Sequence, residues 1–367
     1  MKFARNFIVF FVLFSLVNFS FCEEDVFFVD DLKFYYQGKT DFEELNYGSA
    51  LKKLNAAKTE RIKKTQNEIR ILENALKPAE VKYAGPLISD KIPVLKERED
   101  YDALKIINRY EKVFTLEFFE DSPENLIDYI KKSQSFPEAD YLIAQIYIIE
   151  GEYAIAIDYL EKAYMASEML SIPDEKYEIL FSLAEIYEFQ GNFNKMEEYL
   201  LLILSKEPMY RNKNRINALL KSIASPKKNC VEQFFKLYRA DNYDLLKSFF
   251  KLSKYYKDVS EEKKALYTVS LGVVTGFTKI LNIVTKRNPV FEYKGLKSLL
   301  DEVSNYSDIV QWGIDNSLWE SLNCFAEYAF KNGDSVFASE LYKILSESNP
   351  EPYWREEAKL KARDLIF

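Results

Sequence analysis

The sequence predicts an all-α fold, a long amphipathic helix followed by a solenoid of helical hairpins. Three observations predict it. Glycine and proline are scarce, 10 and 11 among 367 residues, which argues against a turn-rich β protein. Apolar residues make up 48% of the chain and fall at helical intervals of three and four. One pattern of small and large residues also returns three times at the same spacing.

The first element reads as an export signal. Lys2 and Arg5 precede an apolar run from Phe7 to Phe21, and Glu23, Glu24 and Asp25 follow it. The run is shorter than the roughly 20 residues that span a bilayer and suits a signal peptide over residues 1–22. Cleavage after Cys22 puts Ser20 and Cys22 at the two small-residue positions. Lipidation at Cys22 and a retained anchor are the alternatives, although Phe21 sits where a lipoprotein box expects a small residue. Each outcome places residues 23 onward outside the cytoplasm, in a periplasm or cell envelope. The formal charge of -8, less Lys2 and Arg5, leaves that part at about -10. A basic excess is the usual footprint of nucleic-acid binding, so no nucleic-acid partner is expected. Cys230 and Cys324 are the remaining cysteines; two buried thiols are expected rather than a disulfide framework.

Residues 23–77 form an N-terminal helical segment, with a helix–turn–helix join within Tyr35–Gly48. Leu51 to Lys77 contains no Gly or Pro, and Ile62, Thr65, Ile69, Leu72 and Leu76 alternate spacings of four and three. That predicts a long amphipathic helix with a short coiled-coil seam. Lys52, Lys53, Lys58, Arg61, Lys63, Lys64, Arg70 and Lys77 outnumber Glu60, Glu68 and Glu73. Such a face either meets an anionic membrane or acidic partner or is simply solvated. Pro78, Pro86 and Pro93 then interrupt the text, and residues 78–95 read as a linker.

Residues 96–367 are helical almost throughout, with short breaks such as 121–125, 171–175 and 348–353. Ala265 to Val284 is a 20-residue run with one charge, Lys279, and glycines at 272 and 276. It matches a membrane-helix packing motif, but its Ser, Thr and Asn residues favour a central buried helix. The final segment, with Trp354 and Leu360 inward, serves as a cap.

The repeat is the most specific signal. Ala144, Tyr147, Gly151, Tyr153, Ala156, Leu160 and Ala163 run at spacings 3, 4, 2, 3, 4 and 3. Ala184, Tyr187, Gly191, Phe193, Met196, Leu200 and Ile203 repeat it, as do Ala326, Ala329, Gly333, Ser335, Ala338, Tyr342 and Leu345. Small residues suit close helix crossings, and the glycines suit a left-handed turn between two helices. A lone hairpin cannot cover its apolar face, so neighbours must stack on it. These residues resemble the tetratricopeptide repeat family, in residues 137–170, 177–210 and 319–352. Met196 and Ile203 depart from its small positions, and Ser335 replaces an aromatic. Residues 231–256 look like a degenerate copy, with Phe234 and Leu246 at the small positions.

Catalytic chemistry has little to stand on. The chain has no His, which excludes His-based triads and metal sites. There is no CxxC pair and no Gly-rich phosphate loop, and the scattered Ser-xxx-Lys pairs lack companion motifs. No enzyme activity, cofactor or metal is expected. The resemblance implies a binding groove lined by the first helix of each hairpin. Carried over by frame, its positions are Glu138, Tyr141, Gln145 and Ile148; Glu178, Phe181, Glu185 and Glu188; and Glu320, Asn323, Glu327 and Phe330. These acids and aromatics suit a basic, partly apolar protein segment. Two functions follow: an exported envelope scaffold or adaptor, and a structural component that self-associates through residues 51–77. An accessory domain of a cell-wall enzyme system is a weaker third.

Overall fold

The computed structural model describes residues 30–116 and 119–364; the signal-like segment and Cys22 lie outside them. The described residues are helical with no strand, as expected. They form two compact units that divide after Ser135, each described here by itself.

The first unit opens with a hairpin of α1 (Asp30–Glu43) and α2 (Tyr47–Leu76). The expected helix over 51–77 therefore begins four residues earlier. Its buried seam is Ala50, Leu54, Ala57, Thr65, Glu68, Leu72 and Ala75. The seam is covered from within the chain, by α1, α5 (Tyr101–Arg109) and α6 (Pro123–Lys132). This corrects the expectation of a seam open to a second copy: Thr65 and Leu72 are buried, while Ile62 faces solvent. Buried Glu68 accepts hydrogen bonds from the Tyr110 hydroxyl (2.8 Å) and from Arg109. The basic face is partly neutralised as well. Lys53 pairs with Asp41 at 2.8 Å, and Arg61 and Lys64 reach Asp31 at 3.0 and 3.5 Å.

Residues 78–95 are not a linker. They fold as α3 (Ala79–Lys82) and α4 (Ile88–Glu97), with Val81, Ile88 and Leu95 buried beside Leu72, Ile106 and Ile130. Pro78 stands just ahead of α3, where it costs no helical hydrogen bond, whereas Pro93 lies inside α4 and forgoes the bond to the Ser89 carbonyl. The buried Lys91 ammonium donates to the carbonyls of Lys82 (3.0 Å) and Gly85, which ties α4 to the end of α3.

The second unit contains the three expected hairpins. These are α7 (Pro137–Glu150) with α8 (Tyr153–Met165), α9 (Glu175–Phe189) with α10 (Phe193–Leu204), and α18 (Leu318–Lys331) with α19 (Ser335–Ser348). Between them lie α11 (Pro208–Arg211), α12 (Lys213–Ile223), α13 (Cys230–Leu237), α14 (Leu246–Asp258), α15 (Glu262–Arg287), α16 (Leu296–Val303) and α17 (Ser307–Asp315). The last helix is α20 (Pro352–Asp364). One core runs from Ala144 to Ala358.

The three turns are built alike. Gly151, Gly191 and Gly333 have φ of 81°, 73° and 93°. In each, the glycine N–H bonds three residues back and the next N–H bonds five residues back, as in Gly151→Ile148 (3.1 Å) and Glu152→Tyr147 (2.8 Å). That closes the first helix and starts the second. A Cβ at any of the three glycines would meet nothing within 4 Å, so backbone conformation rather than space selects glycine there. Ala144, Ala184, Ala326, Ala156, Ala163 and Ala338 are fully buried, with Leu160 and Leu200 between crossings. Tyr147 stacks on Tyr159 at 5.9 Å, and Tyr187 on Tyr199 at 5.6 Å, one frame later.

The same turn occurs where no glycine marks it. Ser260 (φ 62°) bonds to Lys257, and Glu261 to Tyr256, between α14 and α15. Ser253, Tyr256, Ser260, Glu262, Ala265, Val269 and Gly272 then stand at the repeat's own spacings of 3, 4, 2, 3, 4 and 3. This hairpin replaces the expected degenerate copy at 231–256. Phe234 lies instead in α13, against Phe235, Phe325 and Phe337. In the first unit, Leu45 (φ 65°) makes the same two bonds between α1 and α2. There Gly38, Ala50, Leu54 and Ala57 occupy the small, small, large and small positions.

The apolar run is the middle of α15. It is the single described helix long and apolar enough to cross a membrane, and 72% of its most apolar window is buried inside the fold. Its glycines mark close approaches: a Cβ at Gly272 would lie 2.5 Å from Phe250, and one at Gly276 would lie 2.7 Å from Leu318. At the C-terminal end, Trp354 and Ala358 pack on the core, but Leu360 is exposed, contrary to expectation. Leu360 lies two residues from Ala358, about 200° around a helix, so the two cannot share a face.

Candidate partner-binding surface

The first helices of four hairpins, α7, α9, α14 and α18, meet one after another through side chains at the expected groove positions. Gln145 on α7 donates to Ser182 on α9 at 3.2 Å. Lys251 on α14 pairs with Glu188 on α9, stands 3.8 Å from Glu185, and lies over the Phe181 ring at 5.5 Å. Lys254 on α14 pairs with Glu320 on α18 at 2.6 Å. The row of positions is therefore continuous, but its chemistry differs from the sequence expectation.

Three of the twelve residues are buried in local support. Glu138 accepts from the Ser171 N–H (2.8 Å) and hydroxyl (2.9 Å), which fixes the chain after α8. Gln145 is held by Ser182, and Asn323 donates to the Trp319 carbonyl at 3.1 Å. Four more are charge-paired: Glu185 and Glu188 with Lys251, Glu320 with Lys254, and Glu327 with Lys331 at 2.8 Å. The groove is thus not a uniformly acidic channel. Lys251 and Lys254 escaped the sequence reading because the frame of α14 was placed on α13. Their own spacing of three, beside Ser253 and Tyr256, was the available signal.

Tyr141, Ile148, Glu178, Phe181 and Phe330 remain at the surface. Glu178 and Phe330 are exposed; Tyr141, Ile148 and Phe181 are half-buried. Tyr141 and Phe181 belong to one neighbourhood, since Glu178, Ser182 and Glu185 of α9 all act on the Tyr141 hydroxyl. Burial, and then the Glu178 carboxylate, push that phenol well above its usual range, so it stays neutral. Burial also raises the Glu185 carboxyl, outweighing the attraction of Lys251 and Lys247. Tyr141 and Phe181 are thus two neutral, half-buried aromatics, with Glu178 acting on the first and Lys251 lying over the second.

Neither cysteine is paired. The buried Cys230 thiol donates to Glu340 at 3.2 Å, and burial beside that carboxylate pushes it up to about 12. Burial pushes the Cys324 thiol up to about 11. Neither is an activated nucleophile. Among the described residues, no group of three or more Asp, Glu or Cys is placed to hold a metal ion.

No family model matches the chain. It is similar to an uncharacterized protein of Treponema pallidum (strain Nichols), 28% identical over 313 residues that cover 84% of this chain and 83% of that protein. It is also similar to an uncharacterized protein of Borreliella burgdorferi (strain ATCC 35210 / DSM 4680 / CIP 102532 / B31). That likeness is 24% identical over 262 residues, covering 64% of this chain and 80% of the relative.

Proposed function

We propose that this chain is an exported scaffold of the tetratricopeptide-repeat type, which holds another envelope protein against the α7–α9 end of its hairpin array. The observation that carries the reading is the aromatic pair Tyr141 and Phe181. It lies on two first helices joined by Gln145 and Ser182, and is flanked by exposed Glu178 and by Lys251. Aromatic side chains on rigid helices, rimmed by charge, are what anchor protein interfaces. The fitting partner presents an apolar or aromatic side chain beside a basic residue that meets Glu178. The basic, partly apolar segment expected from sequence is narrowed accordingly, because most of the acids it relied on are paired. Placement in the envelope is supported by the Lys2, Arg5 and Phe7–Phe21 pattern.

Cross-linking in native envelopes, followed by pull-down with purified protein, tests the reading. The Tyr141→Ala, Phe181→Ala double variant is expected to weaken partner binding by about 2 kcal/mol or more, some thirtyfold, at unchanged helicity. Unchanged affinity would reject this surface as the docking site.

A further inference from the structure

The second unit carries a basic surface whose charges have no ion-pair partners among the described residues. Residues 208–231 contain six basic side chains and no Asp or Glu. The six are Arg211, Lys213, Arg215, Lys221, Lys227 and Lys228. Taking them from the formal net charge of -8 leaves -14, so the rest of the chain is strongly acidic. All six are exposed, and none forms an ion pair with a described residue. The acids that border the segment turn inward. Glu207 is buried, accepting from the Met209 N–H (3.0 Å) and from Asn242 (2.6 Å), and Glu232 accepts from the Leu296 N–H at 2.7 Å. Lys206, at the near edge, is paired with Asp174 at 2.9 Å.

The shape of the surface separates one class of partner from another. Helix α12 buries Leu219 and Ile223 and turns Asn214, Asn217, Ala218 and Lys221 outward. Arg211 and Lys213 rim a shallow open dish at its first turn, and Lys227 and Lys228 follow its last. Lys213, Arg215 and Lys221 therefore lie along a helix of about 16 Å, and the other three charges flank its two ends. No large apolar side chain is exposed among residues 208–229. A protein interface needs buried anchors, and a single-stranded nucleic acid needs stacking platforms; neither is present. A lipid headgroup surface needs only a broad field of unpaired Lys and Arg.

We propose that α12 and its flanking turns form a peripheral docking face for an anionic bilayer. An acidic protein is repelled by such a surface everywhere except at a patch of this kind, so the patch also sets which face turns to the membrane. The proposal is independent of the Tyr141–Phe181 surface and uses none of its residues.

Vesicle co-sedimentation of the full chain tests it, comparing phosphatidylcholine alone with phosphatidylcholine containing about 30 mol % phosphatidylglycerol. The expected result is an added binding component on the anionic vesicles that disappears by about 0.5 M salt. The Lys221→Glu, Lys227→Glu, Lys228→Glu variant should lower that component about a hundredfold or more. A matched Lys52→Glu, Lys58→Glu, Arg70→Glu variant on α2 should keep it, with unchanged helicity in both. Equal binding to both vesicle types would overturn the proposal, as would full retention in the α12 variant. So would loss of an acidic protein partner, with no lipid effect, in that variant.

Discussion

A single backbone conformation recurs at several turns between paired helices, and the side chain placed there decides its cost. Gly151, Gly191 and Gly333 take it freely, whereas Leu45 and Ser260 take it at φ of 65° and 62°. An L side chain in this region costs about 1–2 kcal/mol. Two opposite outcomes follow for one turn. Gly191→Ala is expected to destabilise by about 1 kcal/mol, and Leu45→Gly to stabilise by up to about 1 kcal/mol, both read from denaturant midpoints. A pH effect belongs to this scale too. The Glu185 carboxyl is raised in the fold by burial, so the folded state binds its proton more tightly than the unfolded state does. Stability from this group is full below the unfolded value near 4.5 and falls as pH rises through the folded value. Glu185→Gln should therefore be more stable than the parent at pH 7, with the difference vanishing below about pH 4. A variant less stable at pH 7 would show that Lys251 contributes more than burial costs.

Among the elements, α15 is the most constrained. Its apolar run passes the length and composition test for a membrane helix, yet it is the second helix of a hairpin. Ser270, Thr275 and Thr278 satisfy their buried hydroxyls on carbonyls three or four residues back within α15. Gly272 occupies the last small position of the repeat frame, where a Cβ would sit 2.5 Å from Phe250 Cε1 and 2.9 Å from Phe249 Cβ. Gly272→Ala gains about 1 kcal/mol in helix propensity. Overpacking at the crossing costs about 1–3 kcal/mol. Net destabilisation in urea is expected, and a rise in midpoint would show that α14 yields. The membrane-like composition and the soluble-like burial reconcile here, since close crossings select small residues in either setting.

At the scale of the whole molecule, stacked hairpins support one another through nearest neighbours, so damage at one end is local. Helix α20 packs on α18 and α19 and buries Ala358. A chain ending at Asn349 is expected to lose amide protection in α18 and α19 while α7 and α8 keep theirs. Hydrogen exchange resolved by helix measures it; uniform loss would mean that the array unfolds as one cooperative body. The repeat frame also shows what was legible in advance. Gly151, Gly191 and Gly333 announced three turns because glycine is the residue that a left-handed turn admits without strain. Ser260 and Leu45 announced nothing, because the turns they occupy are held by the packing of α14 on α15 and of α1 on α2. For the same reason Pro78, Pro86 and Pro93 read as a linker and proved to be short helices closing a core.

The all-α class, the three glycine-marked hairpins, the buried character of α15 and the absence of histidine chemistry follow from the sequence by itself. Each rests on a local property: periodicity, a left-handed turn, or a missing side chain. Which groove residues stay available was decided only by tertiary structure. Glu185, Glu188 and Glu320 are acids in any reading, but Lys251 and Lys254 reach them from a helix more than 60 residues away in the chain. That the six basic residues at 211–228 have no ion pair among the described residues was decided in the same way. Charge is written along the chain, whereas its neutralisation depends on which helices the fold sets side by side.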